Sequence, residues 1–262
     1  GEEIPGDCIR TLITFPVTSA MDKLDKSIEE IIDDEKKTTP SRGRGGGRGR
    51  GGRNRRAKEG RVHPYKSSGN NRTGGGRKGP RNLKVGGSSN VKSVAGSIAK
   101  TTRESEAPTV LAIGVDAINQ AVKAITIARI YLEENNVDLR AQTDFEDLKG
   151  FKTTTRLFKA SQKPRGPKID KDDLCVKSGS DHFKVAGAIA ARVRDGLSVG
   201  IYAKGSEAVS TMVKSVTVAR NYLDEDNLDL TYAPTFIEIE STRGEDTISS
   251  TYIKLTLLTH QL

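Results

Sequence analysis

The sequence predicts an α/β protein: two tandem βαβαββ domains, each a two-layer α/β sandwich, after an Arg/Gly-rich N-terminal region that stays disordered. Three observations carry this. The chain repeats itself at a spacing of 91 residues. Inside each repeat, short β-type runs alternate with helically spaced ones. Ahead of the repeats, Ser41–Arg56 (SRGRGGGRGRGGRNRR) offers no apolar residue to any core.

Shifting the chain by 91 positions superposes Val94–Phe145 on Val185–Phe236 without a gap, with about 21 of 52 pairs identical. Val94-Ala95-Gly96 falls on Val185-Ala186-Gly187, and Arg103 on Arg194. Gly114 and Ala117 meet Gly205 and Ala208, and Val122-Lys123 meets Val213-Lys214. Ala128-Arg129 with Tyr131-Leu132 meets Ala219-Arg220 with Tyr222-Leu223, and Asp138-Leu139 and Phe145 meet Asp229-Leu230 and Phe236. Agreement this dense marks a duplicated domain. Between the copies, SQKPRGPKIDKDD (Ser161–Asp173) has the prolines, glycine and charges of a linker. The domains are therefore expected at 82–160 and 173–262, joined by 161–172.

Each element follows from its local pattern. Leu83–Val85 and Leu174–Val176 are short apolar starts. Val91–Arg103 and Phe183–Arg194 space apolar residues helically, as in Val91, Val94, Ala95 and Ile98. Val110–Ile113 and Val199–Ala203 read as short buried strands closed by glycine. Asp116–Glu134 and Ser206–Glu225 are the longest helices, with a stripe through Ala117, Ala121, Val122, Ile125, Ala128 and Leu132. Leu139–Leu148 and Leu228–Glu240 suggest strands, turning into Thr153–Phe158 and Ser250–Leu258. The alternation of Tyr252, Ile253, Leu255 and Leu257 predicts a half-exposed antiparallel strand.

The charge is concentrated. The chain carries +9 overall. Residues 41–81 hold 11 Arg and 3 Lys against Glu59, a local +13, while residues 1–40 carry −5, leaving +1 for 82–262. Glycine leaves the backbone free, so Arg42, Arg44, Arg48, Arg50, Arg53, Arg55 and Arg56 hang on a solvated string. Each guanidinium can fork onto a phosphate or stack on a base, and such tracts suit RNA. A near-neutral 82–262 argues against a broad basic face there.

Other chemistry finds little in the sequence. Cys8 and Cys175 suggest neither a disulfide framework nor a metal site, and a reducing compartment fits them. His63, His182 and His260 have no ligand spacing, and no Ser/His/Asp arrangement or phosphate-binding loop accompanies them. The expectation is a protein that is not an enzyme and needs no cofactor or metal. No apolar run reaches membrane-spanning length. The first methionine is Met21, and residues 1–20 are expected to be extraneous or disordered.

KVGGSSNVKSVAGSIA followed by AIGVDAINQAVKAITIARIYL resembles the bacterial stage V sporulation protein S family. The match covers nearly all of Asn82–Ala160, and Asp173–Leu258 follows it more loosely; where the first copy has Asn119-Gln120 the second has Ser210-Thr211. The resemblance implies an Alba-like fold and, through that superfamily, binding of RNA or DNA. It also points to the loop after the first strand and to the last hairpin. In the first copy that loop offers Lys84, Ser88, Ser89, Asn90 and Lys92, and in the second Lys177, His182 and Lys184. Hydroxyls beside lysine at a helix start could cradle phosphate. The hairpins add Lys149, Lys152 and Arg156, or Arg243 and Lys254. The recurring Lys123/Lys214 and Arg129/Arg220 share a role in both copies or are structural, their heads paired to an acid such as Glu133 or Asp224. The duplication admits two arrangements, an intramolecular pseudo-dimer or pairing with other chains as a homo-oligomer.

DKLDKSIEEIIDDEKK (Asp22–Lys37) predicts a short amphipathic helix with Leu24, Ile28, Ile31 and Ile32 on one face, and Ser27 and Glu30 at capping-box spacing. Its stripe suits recognition in a partner's groove, or docking on the chain's own domains. Followed by RGRGGGRGRGG, it is similar to the N-terminus of Aly/REF-type mRNA export adaptors. That resemblance implies a nuclear DEAD-box helicase as partner, and a nuclear protein that can shuttle to the cytoplasm. Such adaptors usually carry an RNA-recognition motif, which this chain replaces with the duplicated domains. The leading expectation is a nuclear RNA-binding adaptor. The alternatives are an architectural nucleic-acid-binding protein and a protein–protein scaffold.

Overall fold

The computed structural model describes residues 81–146, 152–161, 169–243 and 246–262. The first half runs β1 (Asn82–Val85), α1 (Val91–Glu104), β2 (Thr109–Ile113), α2 (Val115–Leu132), β3 (Asp138–Phe145) and β4 (Lys152–Ala160). The second runs β5 (Leu174–Val176), α3 (His182–Arg194), β6 (Gly200–Ala203), α4 (Ser206–Leu223), β7 (Leu228–Arg243) and β8 (Asp246–Gln261). This is the expected order in both halves, and the layered α/β fold class is borne out.

The helix ends are set locally. Asn90 Oδ1 accepts from the Ser93 N–H at 2.9 Å, and Asp181 Oδ1 from the Phe183 N–H at 2.8 Å, capping α1 and α3. Gly114 and Gly205 turn each chain from strand into long helix at φ 98° and 90°, a conformation that side chains with a Cβ avoid. After each long helix, Asn136 and Asn227 take left-handed geometry at φ 52° and 56°.

All eight strands form one sheet, in the order β1-β2-β4-β3-β7-β8-β6-β5. Replacing each strand by its counterpart in the other half reverses this order, so the sheet reads the same from either edge. The halves meet where β3 pairs antiparallel with β7, and the paired residues are Ala141 and Tyr232. These two positions are themselves 91 residues apart. A residue facing its own counterpart is what an approximate two-fold axis requires.

The helices form a layer over one sheet face. α1 packs on α2, α3 on α4, and α2 on α4 across the seam, while α2 also rests on β7 and α4 on β3. Sheet residues alternate accordingly: Thr153, Thr155 and Leu157 of β4 are buried, while Lys152, Arg156 and Phe158 are exposed. The sequence predicts a stripe on α2, yet from Ala117 to Ala128 every residue except Gln120 is buried. The reason is its position, with α1 on one side, α4 on another and the sheet beneath.

The recurring arginines hold the seam. Arg129 Nε and Nη2 bond to Asp138 Oδ1 and Oδ2 at 2.7 and 3.0 Å. Its Nη1 crosses to the Pro234 carbonyl and, at 2.9 Å, to Thr235 Oγ1. Arg220 repeats the pattern in reverse: Asp229 at 2.6 and 3.2 Å, then the Thr143 carbonyl at 3.2 Å and Asp144 Oδ1 at 2.6 Å. Thr143 and Pro234 are counterparts, as are Asp144 and Thr235. The acids are therefore Asp138 and Asp229, not Glu133 or Asp224 as the helix spacing suggests, because the guanidinium points at the next strand. Gln142 Nε2 donates to Asp229 Oδ2 at 2.6 Å across the same seam. Beneath it the Tyr232 hydroxyl meets Thr143 Oγ1 at 2.6 Å, and Thr143 meets Thr155 at 2.9 Å. Burial pushes the Tyr232 hydroxyl up to about 12 in spite of these bonds.

The second hairpin outruns its expected limits. Among the described residues the first half's ladder pairs as far as Phe145↔Thr153, whereas β7 and β8 continue from Ile237↔Tyr252 to Arg243↔Asp246. The sequence signal fades there because polar residues take over the alternation.

Two outcomes are expected. Arg220→Leu strands a largely buried Asp229 and should cost about 3 kcal/mol in urea unfolding, with Arg129→Leu similar. Burial alone would raise the Asp229 carboxyl, but bonds from Arg220 and the Leu230 N–H hold it below the ordinary 3.8. Its stabilisation is present above that value and is lost as pH falls from it through the lower folded one. Asp229→Asn should flatten that acid limb of the stability–pH curve.

Candidate functional site

The backbone directions decide which candidates come together. β1 runs parallel to β2, and β4 antiparallel to it starting at Ile113↔Lys152, so the loop after β1 and the start of β4 lie at one end of the first half. The counterpart loop after β5 lies at the opposite end of the sheet, because β3 and β7 are antiparallel. The structure therefore keeps the two loops apart rather than joining them into one surface.

Within the first loop, Ser89 Oγ accepts from the Gly86 N–H at 2.9 Å, and Asn90 is the α1 cap. These bonds use the oxygens as acceptors, which leaves the Ser89 hydroxyl proton and the Asn90 amide N–H groups as donors beside the start of α1. Lys84 and Ser88 are exposed, and Lys92 is half-buried. In the second loop Ser180 repeats the turn, accepting from the Lys177 N–H at 2.9 Å. Lys177 and Lys184 are exposed, and the His182 ring lies 4.2 Å from that of Phe183, centroid to centroid.

The hairpin candidates divide. Lys152 is salt-bridged to Glu146, and Arg156 to Asp144 at 3.0 Å. Lys254 is no nucleic-acid contact: it is 3% exposed, with Nζ 2.5 Å from Asp173 Oδ2. The pair lies over Gly200, where a Cβ would collide with the Asp173 carboxylate and the Lys254 stem. Alternation places Lys254 on the open sheet face, but an acid from the segment before β5 covers it, a partner invisible to local pattern. Lys123 is buried and Lys214 half-buried, so with Arg129 and Arg220 they belong to the helix layer. Lys149, Arg42, Arg44, Arg48, Arg50, Arg53, Arg55 and Arg56, and Leu24, Ile28, Ile31 and Ile32 of the helix predicted at Asp22–Lys37, lie outside the described residues. Of Arg243 only the backbone, in β7, is described.

Sequence reasoning passed over a different surface. On the first half's open face, register sets Arg140 of β3 opposite Phe158 of β4, with Arg156 two residues before Phe158. A groove of about 480 Å³ runs past Arg140, Gln142, Phe158, Lys159 and His260. The period-two spacing of Lys152, Arg156 and Phe158 was the signal that could have found it. Among the described residues no group of His, Cys, Asp or Glu could hold a metal ion, and no helix is long and apolar enough to cross a membrane.

The family model described as stage V sporulation protein S matches this chain twice, over residues 81–156 and 172–260. The two matches correspond to the two halves of the sheet.

Two stability results distinguish these roles. Lys254→Met leaves the Asp173 carboxylate buried and unpaired, at an expected cost of about 3–5 kcal/mol. Lys84→Ala and Lys177→Ala should stay within about 0.5 kcal/mol of the parent protein in the same urea titration.

Proposed function

The chain belongs to the stage V sporulation protein S family, carrying its domain twice, and from this we propose that it is a non-enzymatic nucleic-acid-binding adaptor acting on RNA. The observation that carries the reading is the +13 segment at residues 41–81 set directly ahead of the tandem domains. The tract supplies affinity through phosphate contacts, without sequence preference and with strong salt dependence. The sheet supplies a rigid body on which exposed groups such as Lys84, Lys177 and Lys184 add position rather than bulk charge.

The segment Asp22–Lys37 gives the adaptor its second half. Its apolar stripe of Leu24, Ile28, Ile31 and Ile32 would dock in a groove of a nuclear DEAD-box helicase, and the tract behind it would hold the RNA that the helicase acts on. On this reading the protein acts in the nucleus. The near-neutral +1 of residues 82–262 favours one other reading, in which the tandem domains are a protein–protein scaffold and only the tract touches RNA.

Binding of a labelled oligouridine to the full chain across a salt series tests the first claim. Changing Arg42, Arg44, Arg48, Arg50, Arg53, Arg55 and Arg56 to Gln should reduce the slope of log K against log salt by about 5. An unchanged slope would remove the tract from the interface. For the partner, Ile28→Asp with Ile31→Asp should abolish helicase capture in a pull-down while leaving oligouridine binding intact; capture that survives, or never occurs, rejects the adaptor role.

A further inference from the structure

We propose that the open sheet face of the first half, centred on Phe158, is a base-stacking site for single-stranded nucleic acid; it rests on the nucleic-acid reading above and names a surface separate from the tract and the loops. Phe158 is 42% exposed, an aromatic ring left in water on a strand whose other face is well packed. The groove of about 480 Å³ runs past Arg140 and this ring. Arg140 stands opposite it, and the Arg140 Nε is buried with no hydrogen-bond partner.

The two halves provide an internal control. Register makes Thr231, Thr256 and Leu258 the counterparts of Arg140, Arg156 and Phe158. The inward neighbours stay apolar in both copies, Leu139 with Leu230 and Leu157 with Leu257, all buried. The same packing is thus built with two threonines flanking a leucine where the first half has cations flanking an aromatic ring. Folding does not demand the basic–aromatic set.

A single strand satisfies both features at once. Every base has a π face to lay on Phe158, and its phosphates meet Arg140 and the Arg156 guanidinium, which Asp144 holds at the rim. Duplex bases are already stacked and cannot reach the ring. An acidic peptide would engage the cations but brings no π surface for Phe158.

The test uses the full chain with a fluorescein-labelled oligouridine, read by anisotropy at about 0.3 M salt, where attraction by the tract is screened. Phe158→Leu, the residue of the second half, should weaken binding about tenfold. Arg140→Thr should also weaken it, and Leu258→Ala should not. Ultraviolet cross-linking should place a uridine adduct on the peptide containing Phe158. Unchanged affinity in Phe158→Leu, with adducts confined to the tract, overturns this site and leaves the nucleic-acid reading standing. A full chain that binds no oligouridine overturns both. Loss of binding to a polyglutamate peptide in Phe158→Leu, with oligouridine unaffected, would reassign the face to an acidic protein and overturn the proposal.

Discussion

The architecture depends on two guanidinium groups at the seam. β3 and β7 share one paired position, Ala141 and Tyr232, too little hydrogen bonding to join two halves. Arg129 and Arg220 complete the joint because a planar fork with five donors can hold its own copy's carboxylate with one edge and the other copy's strand with the rest. A lysine in either place could neutralise Asp138 or Asp229 but could not span both. Because each arginine sits on the long helix and binds the strand that follows it, one side chain fixes helix, strand and partner half together.

That joint explains why the seam tolerates polar groups. Asp138, Gln142, Thr143 and Tyr232 are all buried there, and each has a partner on the other half or on the long helix. A buried polar set is stable only when its members are satisfied, and leaving one unpaired costs more than the bond returns. The seam is therefore specific: slipping β7 by a residue would turn Tyr232 away from Thr143 and separate both arginines from their carbonyls.

Symmetry of packing has not kept the two open faces alike. In the second half, Asp173 and Lys254 form a buried ion pair over Gly200, and Tyr202 meets Tyr252 edge-on at 6.0 Å. In the first half, Asn82 and Thr154 occupy the matching positions, and the face stays open with Phe158 and its cations. Positions facing the helices have little freedom because interiors are close-packed. Positions facing away carry the differences, and that is where a duplicated domain can acquire a new contact.

The sequence alone determined the duplication, the order of elements and most of their limits, since periodicity, caps such as Asn90 and turn glycines such as Gly114 act over a few residues. It also determined where the charge lies, because composition needs no coordinates. Only the tertiary structure decided that the halves share one sheet, that Arg129 and Arg220 answer Asp138 and Asp229, and that Lys254 is buried against Asp173. It also decided that Arg140 and Phe158 meet on one face. Each of these joins residues far apart in the chain, or depends on which side of a strand is covered, and neither is written in local spacing.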